Sequence, residues 1–169
     1  MIRSLRTGAL GVCTAAAVAA VAFAAAPFSA FADDGEGFEF TLYAKQVPPP
    51  GTNESSPPPK VGDHPVFADD LYKTKGGDTV GRDGVACAVV RISGDQVDMN
   101  CVGTILLNGG PGGQLAAQAL TTFDTSNDTP AAYDLAVTGG TGDFKNAHGY
   151  IRVTPDGDYD RMDFHITKR

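Results

Sequence analysis

No G-x-S-x-G elbow, no H-E-x-x-H and no C-x-x-C pair occurs in this chain. That removes the common signatures of serine hydrolases, zinc proteases and dithiol redox proteins. The glycines of Thr138 to Phe144, TGGTGDF, lack the lysine and the following helix that a phosphate-binding loop needs. Asp156, Asp158 and Asp160 alternate as in a calcium loop but without its glycine and distal glutamate, and are expected to solvate a hairpin turn. His64, His148 and His165 lie far apart, so neither a metal nor an organic cofactor is expected.

Basic residues are scarce: 13 Lys and Arg stand against 20 Asp and Glu, a formal net charge of −7. Binding to nucleic acid or to an anionic membrane is therefore disfavoured. Helical patterning is also confined to the first 32 residues. There Arg3 and Arg6 precede an Ala/Val-rich run from Ala15 to Ala26, then Pro27 and the small-x-small pattern Ala30-Phe31-Ala32. This is the layout of a secretory signal peptide, with an apolar core too short and too alanine-rich for a membrane span. The expectation is a secreted protein cleaved after Ala32 with no stable membrane insertion thereafter. Subtracting those 32 residues from 169 leaves 137 in residues 33–169, a length that suits one domain with a real core. Losing Arg3 and Arg6 moves the charge to −9.

Cysteine is sparse too. Cys13 leaves with the leader, so the mature chain holds Cys87 and Cys101 in a compartment where disulfides persist. The intervening sequence reads as a hairpin turning near Gly94; symmetric pairing sets the two cysteines opposite each other, where a disulfide is reachable.

What the chain does contain is short strands and turns. Phe38, Phe40, Leu42 and Ala44 alternate with Glu39, Thr41, Tyr43 and Lys45, the period of a strand with one buried face. Pro48 to Lys60 carries six prolines and is expected to be an extended surface loop. Seven further strands are expected at Pro65 to Lys73, Val80 to Ile92, Gln96 to Leu107, Gln114 to Phe123, Ala132 to Thr138, Gly149 to Thr154 and Tyr159 to Thr167. Turn signals such as Ser93-Gly94-Asp95 and Pro155-Asp156-Gly157 join them. Evenly spaced strands with short turns predict an all-β fold, an eight-stranded antiparallel barrel or a sandwich. Closure removes exposed edges and leaves room for one modest ligand.

Several motifs in one order carry a resemblance: Gly62-Asp63 before PVFADDLY, then VGRDGVACAVV, GGQLAAQ and LAVTGGTGDFKNAHGY. Together they resemble the allene oxide cyclase and dirigent superfamily from about Phe38 to Ile166. The resemblance implies an eight-stranded barrel binding a small hydrophobic ligand in its lumen, with a homotrimer as the expected assembly. In plant allene oxide cyclases, which close an unsaturated epoxide into a cyclopentenone, Cys87 matches a third-strand cysteine and Asp69 a water-binding asparagine. Tyr43 stands where a first-strand glutamate is expected, a departure from the pattern. Dirigent proteins have an aspartate before the glycines, matched by Asp134, and an arginine after them, replaced here by His148; Asp69 and Asp70 resemble their second-strand acidic pair.

These matches make Asp134, Asp69 and His148 the candidate catalytic residues, with Tyr43, Asp70 and Tyr133 as ligand contacts. A carboxyl inside an apolar barrel has its charged form disfavoured and can donate a proton near neutrality, while a histidine opposite could accept one. Strand alternation lets only one of Asp69 and Asp70 point inward. Two functional readings stay open: a cofactor-independent isomerase or cyclase, and a non-catalytic dirigent-like protein that binds or stereochemically directs its ligand. A weaker third is an envelope-associated protein using the Pro-rich loop for contacts.

Overall fold

The computed structural model describes residues 37–48, 57–127 and 131–168. The expected leader and residues 49–56 of the Pro-rich stretch lie outside them. Eight strands follow one another: β1 (Phe38–Gln46), β2 (Val66–Tyr72), β3 (Thr79–Ser93), β4 (Gln96–Leu107), β5 (Gly113–Asp124), β6 (Tyr133–Gly140), β7 (Ala147–Asp156) and β8 (Tyr159–Lys168). Each pairs antiparallel with the next and β8 returns to β1, closing the barrel. Every expected strand is present, with ends shifted by no more than two residues.

Alternation explains the inside. On β8, Met162, Phe164 and Ile166 are buried, while Arg161, Asp163 and His165 face outward. On β1, Leu42 and Ala44 join the core, and the Phe40 ring stacks on Phe164 at 4.4 Å. Burying such side chains contributes roughly 1.5–3 kcal/mol each.

The TGGTGDF bend is a plug. A single 3-10 turn, Gly142–Phe144, sends the fully buried Phe144 ring into the barrel, where it meets Phe38 edge-on at 5.3 Å. Gly142 takes φ +62°, and a Cβ on Gly140 would lie 2.6 Å from the carbonyl oxygens of both Gln114 and Phe144. The bend is tied to the β4–β5 connection: the Asp143 amide donates to the Gly112 carbonyl, and the Asp143 carboxylate accepts from the Gly112 amide, each at 2.9 Å.

The β3–β4 hairpin carries the disulfide, Cys87–Cys101. Its turn is Gly94-Asp95, with Ser93 opposite Gln96. Continued without interruption that register would not pair the cysteines. A bulge at Val90, between the pairs Arg91–Asp98 and Val89–Met99, shifts it by one residue and brings Cys87 opposite Cys101.

Candidate functional site

One part of the lumen is packed and another is open. The open part is a cavity of about 320 Å³. Ala44, Leu135, Val153 and Met162 belong both to its lining and to the packed core, so they form its floor. The ends of β1 and β5, the start of β2 and Ala131 of the β5–β6 connection also line it, which sets its mouth at the β1–β2 and β5–β6 end of the barrel.

Three carboxylates enter this cavity from different strands: Asp69 of β2, Asp83 of β3 and Asp160 of β8. Asp69 and Asp83 are direct cross-strand partners, and their side chains hydrogen-bond to each other. Removal from water is the main reason both carboxyls hold protons more tightly than usual. For Asp83, pushed up to about 8, the Asp69 charge adds to desolvation, and Asp160 adds less. Asp160 is raised by burial first and by Asp69 second. One Asp83 oxygen, Oδ1, is shielded from solvent and has no hydrogen-bond partner. On β6, Tyr133 is pushed up to about 12 by burial and then by the three carboxylates, so its phenol stays protonated.

The remaining walls are mainly apolar and sulfur-rich, with Gln46 of β1 and Thr121 and Thr122 of β5 as further polar residues. Phe67, Val85, Met99 and the Cys87–Cys101 disulfide face the same space. At neutral pH the site thus combines a proton-holding carboxyl pair, a third carboxyl and a phenol donor within a hydrophobic chamber. Among the described residues, no group of three or more His, Cys, Asp or Glu is arranged to hold a metal ion.

Of the residues singled out from sequence, the structure brings Asp69 and Tyr133 into the lumen, along with the disulfide. The others are corrected by strand parity. Asp134 lies between the cavity residues Tyr133 and Leu135, so it faces outward, half exposed and paired with Arg152 at 3.2 Å. His148 alternates with the buried Ala147, Ile151 and Val153 set and also lies on the outer face. It sits four residues along β7 from Arg152, the partner of Asp134, which is about 13 Å at the rise of a strand. The two residues do not flank one mouth. Tyr43 is outside, with the Lys75 ammonium 5.6 Å from its ring centroid. Asp70 sits between Asp69 and the buried Leu71, in register with Lys45 and Arg82, and does not line the cavity.

Sequence reasoning missed Asp83 and Asp160. Asp83 shares the face of Val85 and Cys87, and Asp160 that of Met162 and Phe164, so period two carried the signal in both cases. Asp160 was expected to solvate the hairpin turn. Instead it pairs with Pro155 one step inside the turn and points into the lumen, leaving Asp156 to bind Lys75 at 2.6 Å.

A closed eight-stranded antiparallel barrel with a chamber at one end belongs to the class of small barrels that can hold a single ligand. The family model described as "Allene oxide cyclase barrel like domain" matches residues 47–166, and the chain belongs to this family. No curated protein matches it. Among solved structures it is similar to a pyocyanin demethylase, with 29% identity and a TM-score of 0.59, over 76% of this chain and 99% of that one. It shares its fold with two pterocarpan synthase dirigent proteins. The first has 18% identity and a TM-score of 0.58, over 80% of this chain and 86% of that one; the second has 17% and 0.50, over 80% and 94%.

Proposed function

We propose that this protein is a cofactor-independent isomerase or cyclase that folds a small hydrophobic molecule inside its lumen and moves a proton on it through Asp69 and Asp83. The observation that carries this reading is the Asp69–Asp83 pair in an apolar chamber, with Asp83 pushed up to about 8. At neutral pH such a pair holds a proton that an isolated surface aspartate would have lost. Asp83 donates it to an oxygen or nitrogen of the ligand, and the Asp69 carboxylate takes a proton from another position of the same molecule. Transfer between the two carboxyls resets the pair, so the net change is an isomerisation with no electrons gained or lost. The Tyr133 phenol donates a further hydrogen bond to the polar end of the ligand.

The cavity walls supply the second contribution, holding a flexible substrate near its reactive geometry. Similarity to a chain named for demethylating pyocyanin supports catalysis over passive binding. Export by the leader, cleavage after Ala32 and assembly as a homotrimer belong to the same proposal. Self-association is supported by an exposed apolar strip on the outer face, where Val66, Val102 and Leu120 are 67%, 52% and 66% exposed.

The test is native mass spectrometry of the mature protein purified from its own culture medium. The expected result is an oligomer starting at residue 33 that carries a retained organic molecule. That molecule, once extracted, should be converted by fresh protein in heavy water with deuterium uptake. Asp69→Asn and Asp83→Asn should each slow the conversion by about 100-fold or more. Conversion at wild-type rate by both variants would sink the catalytic reading.

A further inference from the structure

The charge inside the chamber is one-sided. Around Asp83 on β3, the neighbouring elements offer Asp69 from β2, Asp160 from β8 and the Tyr133 phenol from β6. β1 contributes Ala44 and Gln46, β5 its threonines and Phe123, and β7 Val153; β4 contributes Met99 and a disulfide sulfur. No lysine, arginine or histidine is among the residues lining the cavity. The stretches 49–56 and 128–130 contain none either. Of the cations nearby in sequence, Lys75 pairs with Asp156, Arg152 with Asp134 and Arg161 with Asp163. Lys45 and Arg82 alternate with the cavity residues Ala44, Gln46 and Asp83 and so lie on the outer face.

Three carboxylates in one low-dielectric space repel one another, and here they relieve this by keeping protons. A ligand bearing its own positive charge removes the need for those protons. A ligand carboxylate or sulfonate would add a further like charge and demand still more protonation. The unpartnered Oδ1 of Asp83 is an acceptor with no donor supplied by the protein, so a donor on the ligand would complete it. Beside the acids on β2 and β3 stand Phe67 and Val85, and with Leu135 and the methionine sulfurs they suit a flat apolar body.

We infer that the ligand of this lumen is an apolar organic cation, a protonated nitrogen heteroaromatic whose charge lies against Asp69, Asp83 and Asp160. The inference rests on the lumen being the binding site and adds the charge of what it binds: a protonated ligand beside an ionised Asp83 is the state that proton donation from Asp83 also reaches, so it enters the proposed proton transfer after its first step. Because the cation takes the place of a proton, binding releases protons, and affinity rises with pH up to the value at which the acids are already ionised.

Fluorescence titration with three fused-ring probes tests this: methylacridinium as cation, N-phenylnaphthylamine as neutral molecule and anilinonaphthalene sulfonate as anion. In the mature wild-type protein, methylacridinium should bind tightest and gain roughly tenfold or more between about pH 6 and about pH 9, as displacement of one proton held to about pH 8 requires. Asp83→Asn and Asp160→Asn should each weaken methylacridinium by roughly tenfold while leaving the neutral probe within about twofold. Asp134→Asn, on the outer face, should leave all three affinities unchanged. A cation affinity that is flat or falls with pH, or an anion that binds as well as the cation, would overturn the inference. Neutral-probe binding without cation preference overturns the charge assignment but leaves the lumen as a binding site. If the folded protein takes up none of the probes, the lumen reading falls and this inference with it.

Discussion

Two parts of one barrel interior have opposite contents. Around Phe144, the lumen is filled by Phe38, Phe40, Phe164 and Ile166, with ring pairs at 4.4 and 5.3 Å. On the other side of the Ala44, Leu135, Val153 and Met162 floor, the same strands leave about 320 Å³ open and line it with three aspartates. The backbone pattern is continuous through both, so the difference lies in what the inward positions carry. Phenylalanine rings packed on one another fill one part; in the other, short acids, threonines and a disulfide take inward positions between Phe67, Phe123 and Tyr133 and leave the space open. Stability and binding are thereby assigned to separate stretches of the same strands, and mutations should separate them too.

The largest effect is expected from Phe144→Ala, which empties the centre of the packed part. Losing this fully buried ring should cost about 3–5 kcal/mol, read as a fall in melting temperature of roughly 10 °C or more. Thermal denaturation checks it. A fall of only a degree or two would mean that the plug is dispensable and that the contrast between the two parts is one of shape alone.

Next comes the disulfide, which belongs to the open part yet is structural. Replacing Cys87 and Cys101 together by alanine should cost about 3 kcal/mol in the chain-entropy account, given the sequence separation of 14. The measurement is again the melting temperature, with and without reductant. If reductant lowers that of the double variant as much as the wild type, the disulfide is not the source.

Asp83→Asn sharpens the comparison by its sign. The folded protein holds the Asp83 proton up to about pH 8, whereas an ordinary aspartate loses it near 3.8. Across that window the folded state is the more protonated one, so this group's contribution to stability is full at low pH and is lost as pH rises from about 4 to about 8. Asparagine cannot ionise. The variant should therefore match the wild type near pH 4 and melt a few degrees higher near pH 9, a gain of about 1 kcal/mol or more. In the packed part every truncation should destabilise; in the open part removing a charge should stabilise. A variant that melts lower than wild type at pH 9 would erase that distinction.

The same contrast bears on what was legible in the sequence. The strands were readable because a barrel buries one face, and a period of two then marks each strand: Phe38 to Ala44 on β1 and Met162 to Ile166 on β8 show it without interruption. The cysteine pairing came from symmetry about Gly94, although the turn is Gly94-Asp95 and the bulge at Val90 makes up the missing step. The site was harder, because it depends on parity, which one residue reverses. In β6 the run Leu135-Ala136-Val137 is apolar on both faces, so nothing local says whether Tyr133 or Asp134 points inward. The β1 and β2 pairs, Tyr43 beside Ala44 and Asp69 beside Asp70, pose the same problem, solved only by the closed register. Acids that share a face with known core residues, Asp83 with Cys87 and Asp160 with Met162, were the better signal.

The smallest effect is expected from Asp134→Ala, and it tests parity directly. Asp134 carries the same chemical group as Asp69, lies one residue from a cavity-lining tyrosine and differs from the lumen acids only in pointing outward. Its pairing with Arg152 is solvent-exposed, both side chains being about half accessible, at 52% and 45%. Such pairs contribute at most about 1 kcal/mol and often nothing measurable. The variant should therefore melt within about 2 °C of the wild type and retain wild-type ligand affinity and turnover, whereas Asp69→Asn loses both binding preference and activity. Side-by-side titration and melting of the two variants decides the matter. Loss of turnover in Asp134→Ala equal to that in Asp69→Asn would mean that the working face of β6 is its outer one.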